Sequence, residues 1–183
     1  MRKTLGRGMA VCIYCGKPAT SDDHVPPKGL IRPVRRVNLW TVDACDACNR
    51  GASRDEEYFR LMVVGALCHT AEADELFDGS ISRSMDKRPT KESWLFDSLG
   101  ETEGEPFIEW DPATLHRVAV KITAGLAFKL GVSQASVASR TSLEELEGRG
   151  EHDQWAPDFS FTYGGDHWEL WFFDSVRIVV VPA

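Results

Sequence analysis

"CIYCGKPATSDDHVPPKGLIRPVRRVNLWTVDACDACNRG", residues 12–51, opens on one Cys-x-x-Cys pair and closes just past another. Two residues between paired cysteines let both sulfurs reach one ion from a tight turn, and Gly16 suits such a turn. Four thiolates satisfy tetrahedral zinc at about 2.3 Å per bond and leave no open position. Cys12, Cys15, Cys45 and Cys48 are therefore expected to hold a structural Zn²⁺ that staples two segments 29 residues apart and contributes folding energy. A thiol oxidoreductase is the competing reading, but it leaves the second pair without a use. Cys68 falls on an apolar helical stripe and reads as a small buried hydrophobe.

Outward from this segment, 183 residues suit one domain or a small motif with an appended one. Hydrophobic residues make up 43% of the chain, enough for a core that does not depend on the metal alone. No stretch approaches the roughly 18–20 apolar residues that cross a bilayer. The basic start "MRKTLGRGMA" lacks the apolar run of a signal peptide, so a cytoplasmic location is expected. Net charge is −7, but residues 1–60 carry 11 Lys/Arg against 7 Asp/Glu while residues 61–183 carry 10 against 21. Because charges are screened beyond about 8–10 Å, this local sign leaves room for a polyanionic partner.

The fold class expected is α+β. Residues 1–9 read as a loose tail, residues 10–57 as the zinc-stapled motif, and residues 58–183 as an α+β accessory region. "SRDE" has the form of a capping box, with Ser53 at N-cap and Glu56 at N3, and predicts a helix of about four turns. Residues 78–106 are polar and aperiodic and read as a long loop. Asp111 and Pro112 open a second helix whose apolar stripe runs from Leu115 to Leu130, with Gly131 as its stop. Ser142 to Glu147 reads as a short helix. Alternation at Phe159, Phe161, Tyr163 and back at Trp168, Leu170, Phe172 predicts an antiparallel hairpin, and "VRIVVV" a third strand.

The order C-x2-C-G, D-H-V-x-P, N-L, C-x2-C-N-R-G over residues 12–54 resembles the HNH endonuclease motif, in its zinc-carrying ββα-metal, treble-clef-like form. The resemblance implies that His24 is the general base, Asn38 an orienting residue, and Asp23 with Asn49 the ligands of a catalytic divalent ion. The family is named for a final His where this chain has Asn49, which places it nearer the Asn-bearing relatives and favours Mg²⁺ or Mn²⁺. An Asp-His pair alone is often a surface turn, and Asn tolerates left-handed turn geometry, so Asn38 and Asn49 also read as loop formers. Adjacent strand residues face opposite sides, so Asp23 and His24 must sit at a strand end or kink to act together.

Lys28, Arg32, Arg35 and Arg36 precede Asn38, and Arg50 and Arg54 follow Asn49. They are expected to contact phosphates, with a solvated charged loop as the plain alternative. Trp40 reads as a core plug. The function expected is endonucleolytic hydrolysis of DNA, RNA not being set aside. A homodimer would be one route to cutting both strands. The alternative is an inactive HNH-like zinc module that binds nucleic acid or protein.

Overall fold

A computed structural model describes residues 10–87, 97–102, 105–132, 140–145, 152–164 and 166–181. The expected tail, residues 1–9, lies outside them. The zinc-stapled segment forms an antiparallel hairpin, β1 (Ser21–Val25) with β2 (Trp40–Ala44), in which Asp23 faces Val42 and His24 faces Thr41. A helical run follows directly: α1 (Asp46–Asn49), a 3₁₀ turn (Arg50–Ala52), α2 (Ser53–Arg60), and wide π turns (Leu61–Leu67).

This run corrects the expected start. Ser53 makes no capping bond, because the chain is already helical from Asp46. The cap comes from outside the helix, where Thr20 Oγ1 accepts from the Asp46 N–H at 3.0 Å and donates to Asp46 Oδ1 at 3.1 Å. One orphan N–H of the first turn is thereby satisfied by the residue before β1. Glu56, freed of a capping role, turns to Lys121.

The expected loop at 78–106 is also corrected. Before it stands α3 (Ala71–Leu76), capped by Thr70 Oγ1 on the Ala73 N–H. A π turn (Phe77–Ile81) and α4 (Ser82–Asp86) then follow. A hairpin of β3 (Leu99–Thr102) and β4 (Glu105–Ile108) ends the stretch. Ala73, Leu76 and Ile81 are buried, which is what holds these short polar helices in place. The second long helix, α5 (Pro112–Leu130), has the ends its sequence predicts. Asp111 accepts from the Ala113 N–H at 3.0 Å, Pro112 opens the first turn, and Gly131 leaves it at φ +69°.

A five-stranded antiparallel sheet closes the fold in the order β5 (Arg140–Glu145), β9 (Val176–Val181), β8 (His167–Phe172), β7 (Phe159–Gly164), β6 (His152–Trp155). The expected hairpin is present, with Phe159 opposite Phe172 and Gly164 opposite His167, and "VRIVVV" is its neighbour. The short helix expected at Ser142 to Glu147 is instead strand as far as Glu145, pairing Ser142 with Val179. Strand β9 would otherwise present an open row of N–H and C=O groups, and pairing outweighs a local Ser-x-x-Glu signal. Residues 146 and 147 lie outside the described residues.

One core joins both parts. Val25, Leu30, Ile31 and Val42 of the stapled segment share it with Leu126 of α5 and Phe159 and Leu170 of the sheet. Trp40 stands edge-on to Trp155 at 5.3 Å and Phe161 at 6.2 Å, as a core plug should. The boundary drawn at residue 57 thus falls inside a helix whose faces serve both halves. Contact is tightest at Gly125, where an added Cβ would meet Val25 Cγ2 at 2.4 Å and Cγ1 at 2.9 Å. Gly125→Ala should therefore destabilise by about 1–3 kcal/mol in urea unfolding, although Ala is the better helix former by about 1 kcal/mol. Adding Val25→Ala should recover part of that loss; a single variant as stable as the wild type would contradict the close approach.

Candidate active site

The sulfurs of Cys12, Cys15, Cys45 and Cys48 lie within 4.8 Å of one another, with Cys15 and Cys45 3.6 Å apart. Tetrahedral zinc at about 2.3 Å per bond sets sulfur–sulfur edges of about 3.8 Å, so the spacing fits a metal ion such as zinc. Each knuckle is shaped by its own backbone. Gly16 N–H bonds the Cys12 carbonyl at 2.8 Å with Gly16 at φ +72°, and the Cys48 and Asn49 N–H groups bond the Cys45 carbonyl at 3.1 and 2.9 Å. Burial raises the Cys12 thiol, but hydrogen bonds from the backbone at Cys45, Tyr14 and Cys15 outweigh it and bring it to about 7. Burial and then the neighbouring sulfurs push Cys48 up to about 12. Four sulfurs this close cannot all ionise without a cation among them.

Beside the cluster a cleft of about 270 Å³ is lined by Asp23, His24, Lys28, Asn49, Glu56 and Arg60, among others. Asp23 and His24 reach it together because they stand near the end of β1, two and one residues from its last residue, Val25. Asn49 reaches it as the last residue of α1, one position past the fourth cysteine. The second knuckle thus carries Asn49 to the strand that carries the Asp-His pair.

Hydrogen bonds fix the orientation of both oxygen donors. Ser21 Oγ donates its one hydrogen to the Ala44 carbonyl at 3.2 Å, so it must accept from Asn49 Nδ2 at 3.1 Å. Asn49 Nδ2 also donates to the Asp22 carbonyl at 3.1 Å, which leaves Asn49 Oδ1 as an acceptor with no hydrogen bond from the described residues. Asp23, 5% exposed, is held through Oδ2. Tyr14 Oη donates to that oxygen at 2.9 Å and Lys121 Nζ lies 2.8 Å from it, while no described hydrogen bond reaches Oδ1. Lys121 also pairs with Glu56 and sits 5.5 Å from the centre of the Tyr14 ring. Burial and then Asp23 keep the Tyr14 phenol protonated. Burial raises Glu56, with Lys121 opposing. His24, half-buried, has no described hydrogen-bond partner.

The remaining expected residues divide. Asn38 is exposed in a turn at φ +55° and does not line the cleft, so its geometry is that of a loop former. Arg32 is corrected outright. It is 8% exposed and its Nε bonds Asp158 at 2.8 Å and its Nη1 Glu75 at 2.6 Å, so it is a buried structural ion pair and not a phosphate contact. Arg36 spends Nε on the Ile31 carbonyl at 2.8 Å. Arg50 is exposed and pairs loosely with Asp46 at 3.7 Å. Arg35 and Arg54 are exposed, and Lys28 is exposed at the cleft rim. Tyr14, Glu56, Arg60 and Lys121 were not expected at the site. Tyr14 alone had a local cue, lying inside the first Cys-x-x-Cys pair.

Comparison with family models, with curated proteins and with solved structures finds no match. Among the described residues, no helix is long and apolar enough to cross a membrane.

Proposed function

We propose that this protein is a metal-dependent endonuclease of the zinc-carrying HNH type, hydrolysing phosphodiester bonds in DNA. One observation carries the reading: Asp23, His24 and Asn49 line a single cleft beside four clustered cysteines. Asp23 Oδ1 and Asn49 Oδ1, which accept no hydrogen bond from the described residues, are hard donors of the kind Mg²⁺ or Mn²⁺ takes, and two protein ligands leave most of an octahedral shell to water and substrate. When bound, such an ion supplies Lewis-acid stabilisation of the phosphate and of the leaving oxygen.

The chain's own residues do the rest. His24 takes the proton of the attacking water on a ring nitrogen, which no described group occupies. Asn49 is held by Ser21 and Asp22 so that its carbonyl oxygen, not its NH₂, is offered. Tyr14 and Lys121 fix Asp23 from behind. Zinc in the four-cysteine site is structural and keeps α1 against β1. A single site of this kind cuts one strand, so a double-strand break takes two protomers or two encounters.

A second reading, a non-cleaving zinc module that binds nucleic acid or protein, draws support from Lys121, which already neutralises Asp23. Supercoiled plasmid with Mg²⁺ or Mn²⁺ separates the two. Wild type should nick it and His24→Ala should be slower by at least about 10²-fold, the usual contribution of a positioned base. Equal inactivity with DNA retained would favour the binding module.

A further inference from the structure

The cleft has two electrical ends. At one, Asp23 and Glu56 share Lys121. At the other, Lys28 and Arg60 line the wall together with Glu57. The Arg60 side chain is one-tenth exposed; its Nη2 bonds Glu57 at 2.5 Å and its Nη1 reaches Ser80 Oγ at 3.4 Å. Its Nε–H is sealed from solvent with no acceptor among the described residues. The backbone of Gly29 lies over the arginine stem, where an added Cβ would meet Cδ at 3.1 Å. The Lys28 side chain makes no described hydrogen bond or ion pair. Arg36 is a third cation nearby: burial, and then the Arg60 charge, push its pKa down. Glu57 is the carboxylate that contacts Arg60, and Asp158 is committed to Arg32.

Lys28, Arg36 and Arg60 outnumber Glu57, the carboxylate paired with Arg60, so this end carries an excess of positive charge that an anion in the cleft would offset. We propose that the Lys28–Arg60 end of the cleft is an oxyanion seat that holds one phosphate group of the polynucleotide. Arg60, held by Glu57 and Ser80, supplies a fixed positive charge and Lys28 a mobile one. The Asp23–His24–Asn49 end lies across the same cleft, so a phosphate seated here holds the strand against the hydrolytic residues. Naming a polynucleotide as the source rests on the endonuclease reading; the seat for a phosphate oxyanion does not.

The test uses zinc-loaded protein without added divalent cation, a short fluorescent DNA duplex read by anisotropy, and inorganic phosphate as competitor. Lys28→Met, an exposed change with no folding cost, should weaken duplex binding by about tenfold and flatten the log–log salt slope by about one. Arg60→Gln combined with Glu57→Gln, which leaves no bare carboxylate, should weaken it at least as much with the circular dichroism melt retained. Lys129→Met, exposed at the far end of α5, should bind as wild type. Inorganic phosphate should displace the duplex from wild type. Should Lys28→Met and the double variant bind duplex and phosphate as wild type does, the seat is wrong even if the plasmid is nicked. Should binding depend on both residues while the plasmid stays intact, the seat stands and the endonuclease reading falls.

Discussion

Replacing Cys45 with serine should abolish zinc binding and the cooperative melt together. A structural zinc contributes about 10–16 kcal/mol in small zinc-dependent units, against about 5–15 kcal/mol for the stability of a whole domain. Here the damage cannot stay local. Cys45 is the residue before α1, and the hairpin it closes sends Val25, Leu30, Ile31 and Val42 into the core that α5 and the sheet also fill. Trp40 goes with it, leaving one side of Trp155 uncovered. Zinc should fall from one per chain to none, and the thermal transition should broaden or vanish below 37 °C. The control is Cys68→Ala. Cys68 is buried with its thiol toward the Phe172 carbonyl at 3.8 Å, so this variant should keep its zinc and lose only what a small cavity costs. A Cys45→Ser protein that melts like wild type without metal would refute the staple.

Lys121→Met should cost about 3–5 kcal/mol, the usual penalty for leaving a buried charge without its partner. Two carboxylates are affected, since Lys121 Nζ is shared by Asp23 and Glu56, whose side chains are 7% and 20% exposed. Tyr14 would remain on Asp23, and one hydrogen bond to a carboxylate does not replace an ammonium. Adding Glu56→Gln should recover part of the loss in urea unfolding. Mg²⁺ or Mn²⁺ should then stabilise Lys121→Met more than wild type, because the bare carboxylates offer a cation a site with one positive charge fewer beside it. A loss under about 1 kcal/mol would mean that Lys121 is an ordinary surface ion pair.

The parts of this fold that could be read from the sequence are those with local causes. Paired cysteines two residues apart, Asp111–Pro112 before a helix and Gly131 after it, and the alternation through Phe159 to Phe172 each act within a few residues. What escaped depends on distant partners. Arg32 and Arg35 look alike until Asp158, 126 residues away, is found bonded to one of them. Lys121 reaches Asp23 because α5 packs on β1, and Arg60 lines the cleft because α2 packs on the turn at Lys28–Leu30, and no spacing within 12–51 announces either. Residues 140–145 carry a helix-start signal that the open edge of β9 overrides. Asn38 shows the remaining ambiguity: turn chemistry and a family role asked for the same residue, and its exposed left-handed turn is what turn chemistry alone requires.

The most direct measurement is anomalous scattering from crystals of the zinc protein soaked in manganese. Zinc at the four sulfurs and manganese in the neighbouring cleft, bonded to oxygens of both Asp23 and Asn49, is the expected result. Zinc at the sulfurs with no manganese in the cleft, at a concentration that supports plasmid nicking, would contradict it.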